Sequence, residues 1–145
     1  MPQGVTGGLN DQFFIYDIAF PAMTSGLTSA LPLQIDSLSN FLWRAMNFWG
    51  YPDGATFSTP FQDNFLRPFT LSITDSATGR SFSNQAVPLD NWAGIGKFSF
   101  VLPEPYLWAA NSSIQVTLVN LSTVTFDNCH LSLIGKKTFQ SFPTP

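Results

Sequence analysis

Pro68-Phe-Thr-Leu-Ser-Ile-Thr-Asp75 is the stretch on which the fold turns. Phe69, Leu71 and Ile73 alternate with Thr70, Ser72 and Thr74. That two-residue period predicts a strand with one face in a core and one in water. Ser76-Ala-Thr-Gly-Arg80 then reads as a turn, with Gly79 free to take a positive φ.

The same pattern recurs in both directions. Ile114-Gln-Val-Thr-Leu-Val-Asn120 alternates over Ile114, Val116 and Leu118, and residues 31–37 over Leu31, Leu33 and Ile35. Gln12-Phe-Phe-Ile-Tyr-Asp-Ile-Ala-Phe20 is aromatic and β-branched, with apolar residues on both faces, as in a strand covered on both sides. A further strand is expected over 97–102, ended by Pro103-Glu-Pro105, with Tyr106-Leu-Trp108 a short apolar piece beyond it. The last strands are expected at 124–126 and 129–134, and residues 81–95 read as a long connection.

Phe41-Leu-Trp-Arg-Ala-Met-Asn-Phe-Trp49 is ambiguous. Positions 41, 42, 45, 46, 48 and 49 fit one side of a helix, while Phe41, Trp43, Ala45 and Trp49 fit one face of a strand. The all-β neighbourhood and the stop at Gly50-Tyr-Pro-Asp-Gly54 favour the strand. The sum is about eight short strands with regular turn signals, which predicts an all-β sandwich or jelly roll. Residues 12–139 form one domain, 1–11 a flexible Gly-rich arm and 140–145 a tail.

Only 10% of the 145 residues are charged, where soluble domains carry about a quarter. Glu104 is the single Glu, no Lys precedes Lys97, and there are fifteen Phe and four Trp. Lys and Glu are depleted at protein interfaces and aromatic residues enriched, so partner subunits are expected to cover much of the surface. The scattered basic residues and net charge of −3 offer no footprint for nucleic acid. No basic and apolar signal segment opens the sequence, and the longest uncharged stretch, 18–35, is broken by Pro21, Gly26 and Pro32, so neither secretion nor a membrane partner is expected. The sequons at Asn111 and Asn120 are therefore read as chance.

Catalytic chemistry finds few residues to work with. His130 is the only histidine and Cys129, the only cysteine, precedes it; on a strand their side chains point to opposite faces, which rules out a local dyad and leaves zinc short of the three or four ligands it takes. Cys129 reads as a buried small hydrophobe. Asp53, Asp63, Asp75, Asp90 and Asp127 fall in or near loops without the spacing of a calcium loop, and Glu104 stands between two prolines. No catalytic residue, cofactor or metal is expected. Trp43, Phe48, Trp49, Tyr51, Phe57, Phe61 and Phe65 form an aromatic cluster open to three readings: core packing, interface anchors, or a platform for a carbohydrate or other ligand.

Arg67-Pro-Phe-Thr-Leu-Ser-Ile-Thr-Asp75, Thr78-Gly-Arg80, Ser83-Asn84, Val87-Pro-Leu89, Phe100-Val-Leu-Pro-Glu-Pro-Tyr-Leu107, the 114–121 strand and His130-Leu-Ser-Leu-Ile-Gly-Lys-Lys137 together resemble small β-sandwich virion proteins of tailed bacteriophages. These are decoration, cement or minor head proteins, and the resemblance runs over about 13–139. It implies a non-enzymatic structural protein of the capsid, assembled in the host cytoplasm. It also implies a homo-oligomer, such as a trimer, bound to the major capsid protein or other virion proteins. The aromatic segment 41–65 departs from the pattern. The residues expected to make the contacts are Val5, Leu9, Trp43, Trp49, Tyr51, Phe57, Phe61, Trp92, Trp108 and Phe142. The alternative is a carbohydrate- or ligand-binding sandwich, such as part of a tail fibre.

Overall fold

Alternation becomes burial wherever two strands can present their apolar residues to each other. A computed structural model of the chain describes residues 11–52, 68–95 and 99–139. The strands are β1 (Asp11–Ala19), β2 (Thr28–Gln34), β3 (Ser39–Pro52), β4 (Phe69–Asp75), β5 (Arg80–Ser81), β6 (Val87–Pro88), β7 (Gly94–Ile95), β8 (Phe100–Trp108), β9 (Ser113–Asn120) and β10 (Phe126–Phe139). Among the described residues one 3-10 turn covers Leu89–Asn91.

The principal strands run β1-β10-β3-β8 in the first sheet and β2-β9-β4-β5 in the second, with β7 added to β3 and β6 to β4. The chain crosses between sheets at each step from β1 to β4 and again from β8 to β10, the strand order of a jelly roll. The all-β sandwich expected from the sequence is what forms. The inner faces meet over Tyr16, Ile18, Phe41, Trp43, Met46, Phe48, Trp108, Leu131 and Leu133 from the first sheet and Phe69, Leu71, Ile73, Ile114, Val116 and Leu118 from the second, all buried.

Residues 41–49 are strand, and the structure explains their helix-like spacing. The ladder to β10 passes from Trp43 to Ala45, so Arg44 is an extra residue, a β-bulge. Phe41 and Trp43 face the core before it; Met46 and Phe48 face the core after it. One inserted residue switches the apolar parity from odd to even. Gly135 lies opposite the bulge, where an added Cβ would stand 1.9 Å from the Leu42 carbonyl oxygen.

Three expectations are corrected. β8 does not stop at Pro103: its ladder to β3 pairs Val101 with Ala45 and Tyr106 with Trp43, and residues 102–105 bypass the pairing. Both prolines fall in that gap, where no ladder N–H is required. The strand pieces at 124–126 and 129–134 are largely one strand, because β10 runs on from Phe126 to Phe139. β1 is not covered on both sides: it is the edge of its sheet, with Phe13 69% exposed. Residues 1–10 and 140–145, the expected arm and tail, lie outside the described residues, and Asp11 is already in β1.

Candidate functional site

The outer faces of the two sheets differ in chemistry. Thr28, Ala30, Pro32 and Gln34 of β2, Gln115 and Thr117 of β9, and Thr70, Ser72 and Thr74 of β4 give the second sheet an uncharged face rich in hydroxyls. The first sheet presents apolar rows instead. Register places Ile15, Ile134, Ala45 and Val101 side by side across β1, β10, β3 and β8. The adjacent row is Phe13, Lys136, Leu42 and Leu107. Val101 is 70% exposed, Leu107 55% and Ile15 43%. Isolated exposed apolar residues are ordinary; two adjacent rows spanning four strands form a patch, interrupted by Lys136 on β10 and by exposed Arg44 at the bulge on β3.

Polar groups frame the patch along the strands. On one side the Lys136 ammonium donates to Asp11 at 3.1 Å. The side-chain hydrogen bonds of Lys136 and Thr138 hold the Asp11 carboxyl below its ordinary range. On the other side Asp17 accepts from Ser132 Oγ at 2.9 Å and meets His130 Nδ1 at 2.6 Å, while His130 packs on Trp49 with ring centroids 5.6 Å apart. Sequence reasoning missed this cluster because β1 and β10 are far apart in the chain. It contains Ser, His and Asp without the order of a catalytic triad: the carboxylate stands between the other two, and the serine hydroxyl donates to it rather than to an imidazole nitrogen. Nothing in that arrangement makes Ser132 a nucleophile. A groove of about 400 Å3 beside the bulge is lined by Asp11, Phe13, Arg44, Ile134 and Lys136.

Several expected contact residues lie elsewhere. Trp43 and Trp108 are core residues, at 1% and 0% exposure, and cannot anchor a partner. Trp43 donates its indole N–H to the Ala45 carbonyl at 2.9 Å, and both rings pack on Phe82 between the sheets. Trp49 is half-buried on the outer face of the first sheet, and half-buried Trp92 packs against the core. Val5, Leu9, Phe57, Phe61 and Phe142 lie outside the described residues, as does the side chain of Tyr51. The residues that form the patch were visible in the sequence as strand residues, but only register shows that they share a face.

A second concavity opens beneath the 102–105 bypass. Trp43, Phe82, Trp92, Tyr106, Glu104 and the two prolines line a cleft of about 280 Å3. Tyr106 donates its hydroxyl to Asp75 at 3.1 Å, and burial, then that carboxylate, raises the Tyr106 pKa. The buried indole nitrogen of Trp92 has no hydrogen-bond partner among the described residues.

Cys129 is buried, as expected, and burial together with Asp127 pushes its thiol up to about 12. Among the described residues no three His, Cys, Asp or Glu side chains gather as a metal ion would require. Among the same residues no helix is long and apolar enough to cross a membrane. No protein-family model matches the chain, and no curated protein is similar enough to it to count as a relative.

Proposed function

We propose that this chain is a non-enzymatic structural protein of a virion, a decoration, cement or minor head component of a tailed bacteriophage. It works by burying the outer face of its β1-β10-β3-β8 sheet against other subunits of the particle. The apolar row Ile15, Ile134, Ala45 and Val101 carries this reading, together with its neighbours Phe13, Leu42 and Leu107. The virion assignment itself draws on the sequence resemblance. A jelly roll serves capsids and lectins alike, so the fold supports it only by analogy.

The magnitudes suit attachment in many copies. Covering about six partly exposed apolar side chains contributes on the order of 6 kcal/mol gross. Immobilising a free subunit costs at least about 4 kcal/mol, so one face binds weakly. An oligomer whose faces engage together on a symmetric particle gains the missing affinity as avidity. The test is density-gradient fractionation of a lysate containing assembled particles, followed by immunoblotting for the chain. Co-sedimentation with particles, lost in a Val101→Lys variant, supports the reading; recovery only at the top of the gradient sinks it.

The cleft under the 102–105 bypass favours a second reading, a small-ligand or carbohydrate site. Its half-buried rings, Phe82, Trp92 and Tyr106, with the Glu104 carboxylate and the Trp92 N–H that has no partner among the described residues, are the groups that would stack on and hydrogen-bond a sugar. Specific binding on a glycan array, abolished by Trp92→Ala, would move the assignment there.

A further inference from the structure

We propose that β1 is a self-pairing edge: two copies join antiparallel along it, so that their first sheets become one continuous sheet. This deepens the assembly reading by naming the first partner as a second copy of the chain.

A strand at the edge of a sheet presents unpaired N–H and C=O groups, and stable monomers block such edges with proline, charge or bulges. Three of the four edges here carry proline. β2 has Pro32 near its middle, β8 has Pro103 and Pro105, and the β5/β6 side offers two-residue strands, one containing Pro88. β1 is different. It is nine residues long, contains no proline, and pairs with β10 without a register shift from Asp11 to Ala19. Among the described residues nothing pairs with its other side.

Its two charges do not guard it either. Asp11 is held by Lys136 and Asp17 by His130 and Ser132, all on β10 and so on the side away from the open edge. An incoming strand therefore meets carboxylates that already have partners.

The occupant follows from the faces. A strand added to β1 finds apolar neighbours on both of its faces. It continues the Ile15–Val101 row on the outer face and lies beside half-buried Phe14 and buried Tyr16 on the inner one. β1 itself presents such residues, with Phe13 and Ile15 outward between the partnered Asp11 and Asp17, and Phe14, Tyr16 and Ile18 inward. Antiparallel pairing about Ile15 sets Ile15 opposite its own copy and Phe13 opposite Asp17, so no two aspartates face each other directly. The paired edge would be about 30 Å long, a contact at the small end of specific interfaces, where binding is weak and a dissociation constant in about the micromolar range is expected.

Sedimentation velocity on the full chain, from roughly 1 to 200 μM, tests this across the range expected of so small a contact. The expected result is a concentration-dependent step from the 16.0 kDa chain to twice that mass. Ile15→Lys should raise the dissociation constant by at least about tenfold, whereas Val101→Lys, at the far edge of the same face, leaves it unchanged. Amide exchange on the unmodified chain needs no variant: β1 amides should slow as concentration rises. A single-chain mass throughout overturns the proposal, as does a trimer, equal weakening by both lysines, or β1 exchange indifferent to concentration. None of these outcomes bears on co-sedimentation with particles, so the assembly reading stands or falls separately.

Discussion

Asn120 is a polar residue at 0% exposure, and replacing it by Ala tests how the strand ends are fastened. Its Nδ2 donates to the carbonyls of Met23 at 2.9 Å, Thr24 at 3.2 Å and Val124 at 2.8 Å. Its Oδ1 accepts from the Ser122 amide at 2.9 Å and the Ser122 hydroxyl at 2.7 Å. One side chain thus ties the β1–β2 connection to the β9–β10 connection. Two amide protons serve three carbonyls, so the five contacts amount to about four bonds, each worth about 1 kcal/mol net. Water reaches some of the abandoned partners near Ser122 and Val124, which lowers the expected loss to about 3 kcal/mol. With an unfolding entropy of about 0.3 kcal/mol/K for a chain of this length, that is a fall in Tm of about 10 °C. Asn120→Asp should cost at least as much, because a carboxylate oxygen would face the carbonyls that the amide now serves. Urea and thermal unfolding give both numbers. The control is Asn111→Gly: Asn111 already has φ 65° and its side chain accepts one exposed bond from Gln34, so the change stays within about 0.5 kcal/mol. A loss below about 1 kcal/mol for Asn120→Ala, or one no larger than the control's, would refute the reasoning.

Gly135→Ala drives a Cβ to 1.9 Å from the Leu42 carbonyl oxygen, a backbone atom that cannot swing away, so a loss of about 3 kcal/mol is expected in thermal unfolding. Gly79→Ala, at φ +72° in open space, should cost only about 1 kcal/mol. Cys129, its thiol pushed from 9.0 to about 12, should react with a disulfide reagent roughly a thousandfold more slowly than an exposed thiol at mild alkaline pH, and promptly once the chain is unfolded. Asp36 has its pKa lowered by the Leu38 amide first and by Lys137 second, as Asp11 has by Lys136. A lowered folded pKa contributes stability that is complete above the ordinary 3.8 and is lost as pH falls through the folded value, so Tm should drop on the acid side of 3.8 and Asp36→Asn should flatten part of that slope.

Strand-level information was legible because it is local. The alternation at 69–74, the turn at Gly79 and the opposed faces of Cys129 and His130 depend only on neighbours in the chain, and the structure has them as expected. Face-level information was not. Trp43 and Trp108 read as anchors for a partner because large rings serve cores and interfaces alike, and only their place between two sheets decides. The bulge at Arg44 hid the period of β3 by shifting it midway. Asn120 read as the end of a strand carrying a chance sequon and Asp75 as a residue near a loop, yet one fastens two connections and the other bonds the Ala77 amide and the Tyr106 hydroxyl from a buried position. The apolar patch needed the register of four strands, which no window of sequence contains.

The prolines on the other edges set a valence. A sheet that can be joined on two sides adds copies without end, and its product is a fibre. Among the described residues, a body with Pro32, Pro103 and Pro105 on its remaining long edges has one open side. Once two such bodies meet along β1, the union has none left. If the proposed pairing holds, association along strands would end at two, and growth to any larger structure would proceed through the sheet faces, where geometry rather than backbone pairing selects the neighbour.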